Sequence, residues 1–482
     1  MTTLKLLPYE ILQKIFQNFR NDSKESRHWL CNSRFVSRSF NDLIVPILFA
    51  KETHVPSRQQ LSRCLAISAD LKAGVTSVFS STKHLTVTMD ASDEEYREPY
   101  VELWKLMLPT MTSIRSLHWN YFSDPDQCPM DTFIRDIGAR CTLTDLNLRI
   151  LAAPPCSRFS LEPLSNLTTV EIHWMIPVPD EHCDRKRWQR QSTRFMSQIS
   201  ALLKRCPDLE SFTFSTHYFP TPRTLTPITL ASLLDQLQSS STPRKLRRLV
   251  IQGVIVHVGD IRSNLYHLHH LEELVLEADP DPSASTHFGD ICATLQRNDI
   301  RVKSLFIESL QHSGVSQYIS SYQSLEKLVL RKFDHTHDSP VIIGGFITSL
   351  QNHCKTLKWL EFDLNRLSPW PQGIVAHLQS EAEQYVALQT LRIRLCITLD
   401  DTNTVEGQIL TELLETAMRL QALRRLECPS VKYKTGSRVW EDQIELRWSR
   451  DDPSRIHAFM KRIVERFKRA HEPKFVIQLS LS

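Results

Sequence analysis

The sequence has no paired-cysteine motif and no long apolar run, and each absence excludes a class of protein. Its 11 cysteines are scattered without a C-x-x-C pair, and their odd number leaves at least one outside any disulfide scheme. The longest apolar stretches, such as residues 43–50, fall far short of a membrane span, and no signal-peptide run opens the chain. We therefore expect reduced thiols and a soluble protein of the cytoplasm, the nucleus or both.

Charge excess and catalytic motifs are also missing. Lys and Arg number 58 against 54 Asp and Glu, and a net charge of +4 is too small in this chain to predict binding to nucleic acid or an anionic membrane. No G-x-S-x-G, H-E-x-x-H, Walker or Rossmann pattern occurs, and there are only 11 glycines. The sequence therefore predicts no enzyme and no cofactor.

Two short polar clusters have competing interpretations. The histidines at 267, 269 and 270, and those at 335 and 337, lack a cysteine or carboxylate set at ligand spacing. We expect them to lie at the surface or at helix ends and predict no metal site. The basic run at residues 185–190 fits a nuclear-import signal or a phosphate contact, but a solvated helix start is the commoner meaning of so short a run.

Residues 6–49 begin with an apolar helical pattern. Pro8 stands in the expected first turn of a helix, where its missing N–H is harmless and its fixed φ is already helical. The apolar residues fall into two rows, one of Leu7, Ile11 and Ile15 and one of Leu12, Phe16 and Phe19. Two rows are more than one short helix needs to cover a small core, so one row is free for a partner.

The order of residues in this segment resembles an F-box. The matching residues are Leu7, Pro8, Glu10, Ile11, Leu12, Ile15, Val36, Ser37, Arg38, Phe40, Leu43, Pro46 and Phe49. The resemblance implies three short helices that dock on the Skp adaptor of a cullin ubiquitin ligase. The adaptor-binding residues that we assign to this segment are Leu7, Pro8, Ile11, Leu12, Ile15, Leu30, Val36 and Phe40. The alternative is an ordinary helical cap on a larger fold.

A second pattern, L-x-x-L-x-L or a close variant, recurs along the chain at intervals of 23 to 42 residues. Its copies begin at Ile114, Leu143, Leu167, Leu209, Leu246, Leu271, Val302, Leu325, Leu357, Leu388 and Leu423, and a degenerate copy lies at Leu85 and Val87. The fourth and sixth positions alternate with polar residues, which is the period of a strand with one buried face. Helical patterns lie between the copies, and helix starts are marked at Thr226-Pro227, Ser339-Pro340 and Asp452-Pro453.

These copies resemble leucine-rich repeats over residues 75–430, which implies a solenoid with a parallel sheet inside and helices outside. A barrel or an open doubly wound sheet also alternates strand and helix, but the copies are too many for eight strands and no phosphate loop follows any strand. The predicted fold is α/β. We predict an F-box over residues 1–50, a linker and capping helix over 51–74, the repeats over 75–430 and a C-terminal cap over 431–482.

Smaller features support this division. Residues 52–56 are the expected linker, followed by a helix at 58–71, and Cys141, Cys206 and Cys354 are expected to be buried at helix ends. A helix at 453–470 has one apolar face and a basic back. It fits a membrane-surface helix, but we favour a terminal cap with a solvated basic face.

The repeat pattern also predicts a target-binding surface. The third, fifth and seventh residues of each motif face the open side of the sheet, and the fifth residue is apolar in four consecutive copies. The sequence thus predicts a stripe of Val250, Val275, Phe306 and Val329, with a charged rim that includes Glu308 and Arg331. We predict that these residues bind the target with Phe306 as the anchor. The alternative is that a loop or the C-terminal tail covers the stripe.

Two functions follow from these expectations. The first is a substrate receptor of a Skp–cullin–F-box ubiquitin ligase, with the Skp adaptor, a cullin and an unidentified target protein as partners. The second is a repeat scaffold that binds a partner protein without any ligase. An enzyme is a distant third.

Overall fold

In a computed structural model of the chain, parallel β-strands alternate with α-helices. The structure describes residues 24–33, 44–45, 48, 51–54, 58–74, 78–89, 94–121, 130–140, 142–150, 159–176, 185–218, 228–237, 244–277, 288–307, 313–331, 340–363, 370–393, 405–430 and 453–481. Its strands are β1 (Lys51–His54), β2 (His84–Met89), β3 (Ser116–Tyr121), β4 (Asp145–Ile150), β5 (Thr169–Ile176), β6 (Ser211–Tyr218), β7 (Arg248–Gln252), β8 (Glu273–Glu277), β9 (Ser304–Ile307), β10 (Lys327–Arg331), β11 (Trp359–Asp363), β12 (Thr390–Ile393), β13 (Arg425–Ser430) and β14 (Val476–Leu481).

An α-helix lies between most consecutive strands of the described residues, but none is described between β4 and β5. The α-helices are α1 (Lys24–Ser33), α2 (Arg58–Lys72), α3 (Glu94–Met107), α4 (Met130–Arg140), α5 (Arg185–Lys204), α6 (Leu230–Leu234), α7 (Val258–Ser263), α8 (Leu265–Leu268), α9 (Phe288–Arg297), α10 (Ser313–Ser320), α11 (Pro340–Gln351), α12 (Trp370–Glu381), α13 (Val405–Arg419) and α14 (Pro453–Ala470). The chain divides into two compact units. Unit 1 comprises residues 1–246 and 251–255, and unit 2 comprises residues 247–250 and 256–482.

In unit 1, strands β1 to β6 pair in parallel in chain order. The register aligns the fourth motif residues Leu85, Leu117, Leu146, Val170 and Phe212. Strand β1 corrects one expectation, because it occupies part of the predicted linker at residues 52–56 and hydrogen-bonds to β2. Since its backbone groups complete a sheet edge, this stretch belongs to the folded unit rather than to a connector.

In unit 2, strands β8 to β14 pair in parallel, again in chain order. The fourth motif residues again lie side by side in the order Leu274, Leu305, Leu328, Leu360, Leu391 and Leu426, with Ile477 of β14 next in line. The helices of this unit pack one against the next, from α9 through α14. Pairing in chain order within each unit is the arrangement of a repeat solenoid and differs from a doubly wound sheet, whose strand order reverses.

The repeat motif explains the core. Its fourth and sixth residues, from Leu85 to Cys428, are at most 2% exposed in every copy, as the alternation predicts. Helices α11 and α14 begin at Pro340 and Pro453, where the sequence marks helix starts. Thr226-Pro227 lies outside the described residues, and α6 begins after Thr229, whose side chain accepts the N–H of Ser232.

In each unit, side chains near helix ends accept hydrogen bonds from the backbone N–H of a first motif residue. Cys206 Sγ accepts the N–H of Leu167 at 3.4 Å, and the Tyr318 hydroxyl accepts that of Val302 at 3.2 Å. His353 Nδ1 accepts the N–H of Leu325, the first residue of a third motif, at 3.3 Å. These groups satisfy buried backbone donors that the strand ladder does not reach, so each contributes to the packing of its repeat.

Candidate functional site

The predicted target-binding stripe lies on the open face of the sheet in unit 2. The register places Val275, Phe306 and Val329 side by side on β8, β9 and β10. Val250 lies on β7, whose Arg248 forms an ion pair with Glu273 of β8 at 3.1 Å. Glu308 lies outside the described residues. The alignment of the fifth motif positions is therefore as predicted.

The exposure of the stripe is not as predicted. Val250, Phe306 and Val329 are 5%, 7% and 3% exposed, and only Val275 is half-buried. The guanidinium of Arg331 lies over the Phe306 ring, 5.0 Å from its centroid, and covers the residue that we expected to be the anchor. Adjacent strands of a parallel sheet lie close together, so the long side chain of Arg331 on β10 excludes water from the Phe306 ring on β9.

The same row becomes charged on the next strands of unit 2. Register places Glu361 beside Val329, Arg392 beside Glu361, and Glu427 beside Arg392. We call Arg331, Glu361, Arg392, Arg425 and Glu427 the arginine cluster. It combines formal charge with solvent access across the adjacent strands β10 to β13, so it replaces the apolar stripe as the candidate site.

Glu361 is the centre of the arginine cluster. Its Oε1 accepts a hydrogen bond from Arg331 Nη2 at 3.1 Å, and its Oε2 accepts one from Trp359 Nε1 at 3.3 Å. Arg392 Nη1 lies 3.6 Å from Oε1 of the same carboxylate. The side chain is only 5% exposed, so these donors replace the water that a carboxylate otherwise requires.

A second glutamate continues the cluster on β13. Glu427 lies 3.7 Å from Arg392 Nε and 3.4 Å from Arg425 Nη1. The side chains of Arg331, Arg392 and Arg425 are 35%, 27% and 52% exposed, whereas those of Glu361 and Glu427 are 5% and 12% exposed. The carboxylates therefore lie inside, and the guanidinium groups form the outer layer of this surface.

The open face of unit 1 has a different chemistry. Its fifth motif residues, in strand order, are Thr86, His118, Asn147, Glu171 and Thr213. Asn147 Nδ2 donates to Glu171 Oε2 at 2.6 Å, and His118 Nε2 lies 3.0 Å from Asn120 Oδ1. Polar side chains on this face thus hydrogen-bond within and between strands, although Asn147 Oδ1 is buried without a partner among the described residues.

The predicted adaptor-binding residues fall largely outside the described part of the chain. These are Leu7, Pro8, Ile11, Leu12, Ile15, Val36 and Phe40. Leu30 is described, on helix α1, and it is 2% exposed. Its side chain is thus buried, as are those of Ile44 and Leu48, and its assignment to the adaptor surface stays a prediction.

The remaining candidate clusters are placed as follows. His267 is buried at the end of α8, while His269 and His270 are exposed. In the described residues no group of three or more His, Cys, Asp or Glu side chains is arranged to hold a metal ion.

The basic run opens helix α5, and Lys186 and Arg190 are exposed there. No helix in the described ranges has both the length and the apolar character needed to cross a bilayer.

The motif period also places Glu361, Arg392 and Glu427 on the open face, but the sequence prediction selected the apolar residues beside them. The sequence pattern that indicates these residues is the alternation of charge along the fifth and seventh motif positions after Val329. It was outweighed because a sequence does not reveal which of two adjacent side chains covers the other.

Comparison with known proteins gives a distant structural similarity. No protein-family model and no curated protein matches the chain significantly. Among solved structures, the chain is similar to one in the crystal structure of the yeast Rad7 and Elc1 complex, with 13% sequence identity and a TM-score of 0.38. The alignment covers 84% of this chain and 93% of that one.

Proposed function

We propose that the protein is the target-recognition subunit of a Skp–cullin–F-box ubiquitin ligase. Residues 6–49 hold the Skp adaptor, and the open face of unit 2 holds the target. The observation that carries the proposal is the combination in one chain of an F-box-like segment and an ordered repeat sheet. A chain that binds the adaptor through the F-box-like segment and the target through the repeat sheet links the target to the ligase.

The junction between the two parts supports this role. Strand β1 begins at Lys51, directly after the F-box-like segment, and it pairs with β2 along its whole length. Residues 51–54, which include the start of the linker predicted at residues 52–56, are therefore held in the sheet. In a ligase subunit, a short junction limits how far a bound target can move from the catalytic partner.

The adaptor contact is tested by co-expression of the full chain with the Skp adaptor. Replacing Leu7 and Pro8 by Ala, or changing Ile11→Asp, should abolish co-purification, because interface energy concentrates in a few buried apolar anchors. Leu65→Asp is the matched control. Leu65 is an exposed apolar residue on α2, so the same change of character there should leave binding intact.

The second function, a repeat scaffold without a ligase, predicts a different result. In that case the wild-type chain would not co-purify with the adaptor at all, and the Leu7 and Ile11 variants would behave like wild type. Circular dichroism of each variant shows whether the repeats remain folded, which separates loss of the contact from loss of structure.

A further inference from the structure

Arg392 is poorly satisfied for a half-buried guanidinium. Its two ion-pair distances, 3.6 Å to Glu361 and 3.7 Å to Glu427, are longer than a hydrogen bond. A guanidinium has five N–H donors in a planar fork that fits a carboxylate on two parallel bonds. Arg392 therefore keeps donor capacity on the open face of unit 2.

A second arginine of the cluster shows the same deficiency. Arg331 uses Nη2 to bind Glu361, but its Nε is buried without a hydrogen-bond partner among the described residues. A buried donor that nothing satisfies destabilises the folded chain. Arg331 Nε is enclosed, so Arg392, whose side chain is 27% exposed, is the member of this pair whose unused donors an anion can reach.

The charge of the cluster indicates which anion fits. Within the cluster three arginines face two glutamates, an excess of one positive charge, and the arginines form the outer layer. A monoanion neutralises that charge. A dianion would place excess negative charge close to Glu361 and Glu427, where like charges repel at short range.

We propose that the arginine cluster binds one carboxylate side chain, Asp or Glu, of a linear segment in the target protein. The carboxylate pairs with Arg392 as its principal donor, while Glu361 holds Arg331 and Arg392 in position. This inference rests on the proposed function, since it specifies the chemistry by which the target surface of the receptor selects its partner. A phosphorylated side chain is the competing source of an anion and is separated by the test.

The test uses the purified full chain and a phage-displayed library of random linear peptides. Peptides selected by the wild-type chain should share an acidic residue, and changing that residue to Gln or Asn should weaken binding at least about tenfold. Arg392→Gln should abolish selection of these peptides, and Arg392→Lys should retain only part of the affinity because lysine lacks the fork. Arg425→Gln, at a more exposed position, should weaken binding less.

Controls distinguish the possible failures. Arg297→Gln, at the exposed end of α9, should bind the selected peptides like wild type. A library that yields no peptide dependent on Arg392 overturns the proposal. A phosphoserine peptide that binds more than about tenfold tighter than its acidic counterpart overturns the assignment of a carboxylate. Adaptor co-purification does not involve these arginines, so it tests the ligase assignment separately.

Discussion

His353 accepts a hydrogen bond from the backbone N–H of Leu325 through Nδ1, at 3.3 Å. Its other ring nitrogen, Nε2, lies 2.8 Å from the carbonyl oxygen of Ile319. Because a backbone N–H can only donate and a carbonyl can only accept, the ring is neutral and carries its proton on Nε2. The histidine is fully buried, and burial lowers its pKa below the ordinary value of 6.5.

This arrangement predicts that acid destabilises unit 2. The folded chain holds neutral imidazole, whereas the unfolded chain binds a proton near pH 6.5, so the free energy of unfolding should fall as the pH drops below that value. Each unit of pKa depression corresponds to about 1.4 kcal/mol. Urea unfolding at several pH values between neutral and mildly acidic measures the effect.

His353→Gln should flatten part of this pH dependence while lowering stability at neutral pH. The remaining slope has a second contributor in His377, whose pKa is also lowered by burial and whose Nε2 lies 2.9 Å from the Tyr385 hydroxyl. If the variant and the wild type lose stability equally on acidification, His353 is not the source.

A pair of glycines tests the packing of the helices in unit 2. A Cβ at Gly314 of α10 would lie 2.5 Å from the carbonyl oxygen of Gly289 in α9, so Gly314→Ala should destabilise by about 1–3 kcal/mol. At Gly344 of α11, no described atom beyond the adjacent helix backbone and chain neighbours lies within 4 Å of the Cβ position. Gly344→Ala should stabilise by about 0.8–1 kcal/mol through helix propensity, and thermal unfolding of both variants compares them.

Thiol reactivity tests the buried cysteines. Burial raises the pKa of Cys292 and Cys428 to about 12 and raises that of Cys206 as well, so their thiolates are scarce at neutral pH. In the native chain these three should resist N-ethylmaleimide while the partly exposed Cys31 is modified. Peptide mapping by mass spectrometry with and without urea locates the modified sites, and rapid native labelling of Cys292 would contradict its burial.

Aspartate on the apolar stripe should unfold the repeats rather than only block a partner. Phe306→Asp with Val329→Asp places two carboxylates at positions that are 7% and 3% exposed. We expect a loss of several kcal/mol, since an unpaired charge in such a site is not solvated. Circular dichroism melting checks this. An unchanged melting temperature would mean that the stripe is open after all.

The isolated chain should have no catalytic activity of its own. No catalytic motif or phosphate loop is present in the sequence, so ubiquitin transfer to a target should require the adaptor, the cullin and the remaining ligase subunits. A reconstituted ubiquitination assay with single-component omissions measures this. Transfer by the purified chain alone would refute the proposed role.

The spacing of apolar residues was enough to place every repeat strand. The fourth and sixth positions of each motif, such as Leu328 and Leu330, alternate with polar residues, and the buried face follows from that period whatever the loop length. Helices that begin with proline, at Pro340 and Pro453, were equally readable because the signal is local.

Tertiary structure alone decided which open-face residues meet solvent. Val329 and Arg392 both occupy a fifth motif position, yet Val329 is buried and Arg392 is not. Likewise, the local sequence does not mark residues 51–54 as a strand. They become one by pairing with β2, which follows an intervening helix in the chain. Exposure and strand pairing depend on contacts with side chains and backbone groups that are distant in the chain. A local sequence pattern carries no information about those contacts.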